Sequence, residues 1–191
     1  DRIIENGIKN VYIGTKDLNP SINGAGIDKL EKARINVFQN ILEKECYELN
    51  KGFFKWVEKG KPWVIVKIAQ SNNGFMGIDS NTSTWITGDD VKIDTHKLRS
   101  KVDGILIGRK TAEVDNPKLT VRKVHGNNPI RIVADTYRKL PLNLELFNDQ
   151  LAKNIVLCSM DKFKKSVTSN CTYLPVKDKN GFLDEESILN T

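Results

Sequence analysis

The chain has 191 residues, enough for one large domain or two small ones. Hydrophobic residues make up 39% and charged residues 28%, the balance of a globular protein with a core, and no apolar run reaches the roughly 18 residues that a membrane helix needs. Lys and Arg number 30 against 24 Asp and Glu, and the net charge of +6 suits anionic ligands from a phosphorylated metabolite to nucleic acid.

The first residues, Asp1-Arg2-Ile3-Ile4, lack a starting Met and a signal-peptide layout, and read as the middle of a longer chain. Residues 8–14 read as a buried strand, and a turn-rich stretch follows from Asp17 to Gly26. Residues 27–33 repeat at helical spacing, and Asn36-Val37-Phe38 suits a short strand. Leu42, Cys46, Leu49, Phe53 and Val57 recur three or four residues apart, which predicts a helix buried along that stripe. Gly60-Lys61-Pro62 ends it and marks a domain boundary.

Beyond Pro62, residues 63–69 form a continuous apolar run, expected to be a strand covered on both faces. Asn72-Asn73-Gly74 is a turn signal. Asp89 or Asp90 is expected to cap a helix in which Val91, Thr95, Leu98 and Val102 share a face. Residues 105–107, 130–134 and 154–158 read as further strands, so strands and helices alternate and the fold class is α/β. Asp184 and the acidic residues after it read as a cap and first turn of a helix, which ends too soon to bury a face. Both ends are therefore expected to be cut, and the chain to be an internal piece of a larger protein.

Cys46, Cys158 and Cys171 are too scattered for a disulfide framework or a zinc knuckle, and suit buried or incidental thiols in a reducing cytoplasm. With only His96 and His125, a multi-histidine metal site is not expected. No Gly-x-Gly-x-x-Gly fingerprint, P-loop or nucleophile elbow is present.

Special residues are densest in the segment 108–122, which follows directly on a strand, where ligands sit in α/β sheets. Gly108 allows close backbone approach, Thr111 offers a hydroxyl, Asp115 a carboxylate, and Arg122 a planar cation suited to a phosphate. A Pro-punctuated surface loop with solvated charges is the alternative. Trp85, among Ser83, Thr84 and Thr87, suits stacking on a flat heterocycle, or else a place in the core. Arg99 either complements a helix C-terminus or binds an anionic substrate, and His96 reads as a solvated or hydrogen-bonded helix residue rather than a catalytic base.

Taken together, several segments resemble one family. They are Lys67-Ile-Ala69-Gln-Ser71-Asn-Asn-Gly74, Ser83-x-Trp85-Ile-Thr-Gly88, His96-x-Leu98-Arg99, Val102-Asp103-Gly-Ile-Leu-Ile-Gly108, Thr111-x-x-x-Asp115-Asn-Pro117-x-Leu119-Thr-x-Arg122 and Pro129-Ile-Arg-Ile-Val-x-Asp135-Thr136. In this order they resemble the bifunctional riboflavin-biosynthesis deaminase/reductases of the RibD type. The resemblance implies a cytoplasmic enzyme with two parts. Residues 1–60 would be the C-terminal piece of a cytidine-deaminase-like domain, and 61–191 an incomplete dihydrofolate-reductase-like domain. The family's zinc-binding His-Ala-Glu and Pro-Cys-x-x-Cys segments do not occur in this sequence, so no metal site and no deamination are expected of it.

The implied reaction uses NADPH to reduce 5-amino-6-(5-phosphoribosylamino)uracil to its ribitylamino counterpart. By motif, Ala69, Trp85, Thr111, Asp115 and Thr136 would contact NADPH, and Ser83, Arg99, Leu119 and Arg122 would line the substrate site. The implied partner is a small phosphorylated pyrimidine rather than nucleic acid or membrane, with homodimers common in the family. Asn73 stands where the family commonly has Asp, and the family's later Glu-Gly-Gly-like segment is not in the sequence. The alternatives are a related pyrimidine reductase of the same fold, or a non-catalytic anion- or nucleic-acid-binding module resting on the net charge.

Overall fold

The computed structural model describes residues 1–22, 24–77, 81–165 and 170–191, and the backbone of 167–168. It divides into two compact units, Asp1–Ile65 and Val66–Thr191.

The first unit holds α1 (Arg2–Glu5), β1 (Asn10–Tyr12), α2 (Ala25–Lys32), β2 (Asn36–Phe38) and α3 (Glu43–Lys59). β1 and β2 pair in parallel, and α2 lies in the crossover that parallel pairing requires. Tyr12 stands opposite Phe38 and their rings stack at 4.8 Å. Gly14 follows β1 where a Cβ would collide with the Cys46 Sγ of α3, so only glycine fits. The expected stripe on α3 is not the buried one. Leu42 and Leu49 are 67% and 86% exposed, while Phe54 is 3% exposed and stacks on Tyr47 at 5.0 Å. Tyr47 and Phe54 also lie two turns apart, and the larger rings bury more apolar surface than the leucines would.

The second unit holds α4 (Asp89–Arg99), β3 (Gly104–Gly108), α5 (Arg109–Asp115), β4 (Ile130–Ala134), α6 (Glu145–Asn148) and β5 (Asn154–Ser159). Then come β6 (Val167–Thr168), β7 (Cys171–Val176), β8 (Asp178–Lys179), β9 (Phe182–Leu183) and α7 (Glu185–Leu189). Its main sheet runs β3-β4-β5-β7-β6, parallel except for β6. The core gathers Val133 of β4, Val156 and Cys158 of β5 and Tyr173 of β7 against Ala112, Leu140, Leu144 and Leu146. Each such large aliphatic side chain contributes about 1.5–3 kcal/mol by leaving water. Burial raises the Cys158 thiol and pushes Cys171 up to about 11, so both stay protonated. Pro175 is tolerated inside β7 because β6 pairs only as far as Thr172.

Four further expectations need correction. The strand expected at 8–14 is confined to Asn10–Tyr12 and is not buried, since Tyr12 is 65% exposed. Residues 63–69 form no strand, and Trp63, Val64, Ile65, Val66 and Ile68 are exposed. A strand exists only through a hydrogen-bonded neighbour, and no described strand pairs with this run. Gly88, not Asp89 or Asp90, is the N-cap of α4; the two aspartates sit in its first turn, favoured by the helix dipole. The start of the segment 108–122 is helical, because α5 begins directly after β3. The terminal helix does carry the expected cap: the Ser187 amide donates to the Asp184 carboxylate at 2.8 Å.

Candidate functional site

The site is built at the carboxyl end of β3. Gly108 caps α5, and Thr111 and Asp115 lie one helical turn apart on its exposed side. With Lys110 and Val114 of α5, they face Met76, Gly77, Thr82 and Thr84 across a cavity of about 170 Å³. Lys110 Nζ donates to Asn81 Oδ1 at 2.8 Å. Just before the cavity-lining Met76, a turn is held by the Ser71 hydroxyl, which bonds Asn73 Oδ1 at 2.6 Å and accepts the Phe75 amide at 3.1 Å. Gly74 takes φ +86° there. An amide at position 73 thus serves the turn through its oxygen.

Asn116 ends α5 in the left-handed region at φ 39°, and its Oδ1 accepts the Glu145 amide at 2.8 Å. Leu119 is left-handed as well, at φ 51°, and its side chain is buried. This double reversal delivers the buried Thr120 to α4. Arg99 Nη1 donates to the Thr120 carbonyl at 2.6 Å, and Arg122 Nη1 donates to the Thr120 hydroxyl at 2.7 Å. The Arg122 amide donates to His96 Nδ1 at 3.0 Å. Arg99 Nε is buried without a hydrogen-bond partner. Burial, with the Arg122 charge beside it, pushes the Arg99 guanidinium below its ordinary value. Among the described residues, no carboxylate pairs with either arginine. Two cations thus share one threonine without a paired carboxylate.

Thr120 is five positions after Asp115, so at most about 18 Å of extended chain joins the cavity to the arginine pair. Trp85 is 78% exposed, which removes the core reading. Lys92 Nζ lies 4.5 Å from its ring centroid and is held by Asp89 at 2.9 Å. Ser83 is exposed between Thr82 and Thr84. Ala69 is half-buried in the irregular segment before the Ser71 turn, and Thr136 is half-buried after β4, its carbonyl accepting the Ser159 amide at 3.0 Å. The cavity wall includes Thr111 and Asp115 but not Ala69, Ser83, Trp85 or Thr136.

Three features go beyond the sequence reading above. Thr120 is the common acceptor of both arginines. Of the two readings of His96 the hydrogen-bonded one holds, but its burial and its partner, the Arg122 amide, are new. Arg131 is fully buried and grips Asp149 with two bonds of 2.9 and 2.8 Å, while also donating to the Lys118 and Ala152 carbonyls. For Arg131 a signal does exist: the period-two alternation of Arg131, Val133 and Asp135 places two charges on an inward strand face.

Residues 62–191 match the family model of the RibD C-terminal domain. The chain belongs to that family. Every candidate residue from Ala69 to Thr136 falls within the RibD match. A riboflavin biosynthesis protein RibD from Aquifex aeolicus is 35% identical over 165 residues, covering 86% of this chain and 46% of its own length. RibD from Actinobacillus pleuropneumoniae is 36% identical over 146 residues, covering 76% and 39%. The crystal structure of a diaminohydroxyphosphoribosylaminopyrimidine deaminase/5-amino-6-(5-phosphoribosylamino)uracil reductase from Thermotoga maritima superposes with a TM-score of 0.84 at 32% identity. That match covers all of this chain and 52% of the other. The chain thus spans about half the length of the RibD proteins it matches.

Proposed function

We propose that residues 61–191 serve an NADPH-dependent reductase that converts 5-amino-6-(5-phosphoribosylamino)uracil to the ribitylamino compound in riboflavin biosynthesis. The observation that carries this reading is the Arg99–Thr120–Arg122 cradle, two guanidinium groups without a paired carboxylate, close in sequence to the Thr111–Asp115 cavity. In this reading the cradle takes the ribose phosphate, because paired planar donors match a phosphate's oxygens. Leu119 fixes the loop through its buried side chain, and Ser83 supplies a hydroxyl toward the pyrimidine.

The polar lining of the cavity supports a place for the polar part of the cofactor. The cavity is lined by Thr82, Thr84, Thr111, Asp115 and Lys110, residues that can offer hydroxyls, a carboxylate and an ammonium. Thr111 and Asp115 would hold NADPH there, with Ala69 and Thr136 flanking and exposed Trp85 offering a flat stacking face. When bound, the nicotinamide supplies the hydride for C1 of the opened ribosyl group. The chain's own part is orientation: the arginines fix the phosphate end, and the cavity residues fix the other reactant, so that the reacting carbons meet. Residues 1–60 are read as the end of the deaminase-like part of the longer relatives.

The test is to follow NADPH absorbance in the full-length protein on adding the phosphoribosylamino substrate. Substrate-dependent loss is the expected result. No loss, with a folded protein and NADPH bound, would remove the reductase reading.

A further inference from the structure

We infer that His96 is a positioning residue for the phosphate cradle, holding the Arg122 backbone through its unprotonated Nδ1 and releasing it on protonation. This rests on the reading of Arg99 and Arg122 as the substrate's phosphate site. His96 is the buried residue of α4, 6% exposed, and Arg99 follows it by three positions. Its ring therefore sits where helix and loop meet. The bond tying α4 to the Arg122 backbone runs from the Arg122 amide to Nδ1, at 3.0 Å. An amide donor needs a lone pair, so Nδ1 must be bare and the remaining ring proton must sit on Nε2. Arg122 then turns its Nη1 to the Thr120 hydroxyl at 2.7 Å, and the same threonine's carbonyl receives Arg99 at 2.6 Å. One imidazole thus fixes the start of a chain of bonds that orients both guanidinium groups.

The electrostatic surroundings favour the bare ring. The charged groups acting on His96 are Arg99 from its own helix and Arg122 and Lys123 from the loop, all positive; Lys123 also lies 3.9 Å from Asp89 at the start of α4. Burial first, and then these three charges, hold the imidazole below its ordinary value. A group depressed in the folded state contributes fully above its unfolded value, about 6.5, and loses that contribution as pH falls through the lower folded value. The cradle therefore loosens on the acid side.

The chemistry names a discriminating substitution. In His96→Asn the side-chain oxygen can occupy the place of Nδ1 and accept the same amide, but it does not titrate in this range. In His96→Leu the acceptor is lost. The experiment measures steady-state KM and kcat of the full-length protein across pH 5–8, for the phosphorylated substrate and for its dephosphorylated riboside. One lost hydrogen bond predicts a roughly three- to tenfold higher KM for the phosphorylated substrate in His96→Leu. The KM for NADPH should stay within about twofold, since the bond touches only the phosphate cradle. His96→Asn should return KM to near the parent value at neutral pH and show a smaller rise at low pH, leaving only the part due to the substrate's phosphate. Equal KM values in all three proteins, or a rise at low pH as large in His96→Asn as in the parent, would overturn the inference, since the substrate's phosphate, with a second pKa of about 6, contributes the same rise to both. If His96→Leu fails to fold, the His96→Asn profile decides alone. Arg122→Ala separates the two layers: if it leaves the KM of the phosphorylated substrate unchanged, the phosphate reading itself fails. If Arg122→Ala raises that KM while His96→Asn behaves as the parent at every pH, only the role of His96 fails.

Discussion

Two arginine sites within one unit show opposite uses of the same side chain. Arg131, in β4, is fully buried and meets a carboxylate in a two-pronged grip. Arg99 and Arg122 meet no carboxylate among the described residues and bond instead to one threonine. In the first region the charge is neutralised locally, and the pair ties β4 to the loops at Lys118 and Ala152. In the second the charge is left over. An arginine whose charge is paired serves the fold, even though its Nε, like that of Arg99, has no hydrogen-bond partner, whereas a pair of arginines without a carboxylate retains attraction for an anion.

The largest effect tests the charge-paired side. Arg131→Met leaves Asp149 without its partner in a nearly buried place, and a loss of about 3–5 kcal/mol is expected by denaturant unfolding. If the loss is below about 1 kcal/mol, the pair is not what secures this end of the sheet. Next comes Arg122→Ala, which should cost about 1.5–3 kcal/mol of binding, or roughly ten- to hundredfold in KM for the phosphorylated substrate. Its unfolding midpoint should barely move. A destabilised protein with unchanged KM would place Arg122 with Arg131 instead.

The pH dependence sharpens the same contrast. Burial pushes the Asp149 carboxyl up, but the Arg131 bonds, the Leu151 amide and the charges of Arg131 and Lys118 outweigh it and hold the group below its ordinary value. A depressed carboxylate stabilises the fold above its unfolded value, about 3.9, and that share is lost as pH falls through the folded value. The stability gap between the parent and Arg131→Met should therefore narrow below about pH 4, as read from unfolding midpoints. A gap unchanged down to pH 3 would contradict the pairing. The smallest effect belongs to Lys97→Ala, which breaks an exposed pair with Asp94 on the outer face of α4. Less than about 0.5 kcal/mol is expected in the same unfolding measurement.

Much of this arrangement is legible in the sequence. The strand at 130–134 and the cap at Asp184 follow from runs and capping chemistry that local sequence carries. The candidate segment is legible from Gly108, Thr111, Asp115 and Arg122 in one stretch behind a strand. The helicity of residues 109–115 is not, because Pro117 and Gly108 favour a loop. The exposed run at 63–69 shows the limit of apolarity as a signal: it reports a preference for burial, while strand formation depends on a neighbour elsewhere. On α3 two apolar stripes compete, and Phe54 prevails through packing that periodicity does not encode. The hairpin of β8 and β9 turns on Asn180 and Gly181 at φ 54° and 80°, a local Asn-Gly signature that an apolar-periodicity reading passes over. His96 and Thr120 are legible as residue types but not as partners of the arginines, since 26 positions separate His96 from Arg122.

Leu119 carries a further consequence. A leucine at φ 51° holds its backbone where few side chains are comfortable, at a cost of about 1–2 kcal/mol. Its buried side chain keeps the loop in that form. Such a loop is set before anything binds, so an incoming anion need not freeze a wandering segment and retains more of its contact energy as affinity. Slow amide exchange at Thr120 and Arg122 in the ligand-free protein, changing little when ligand is added, is the signature of that preorganisation; rapid exchange that slows sharply on binding would show the reverse.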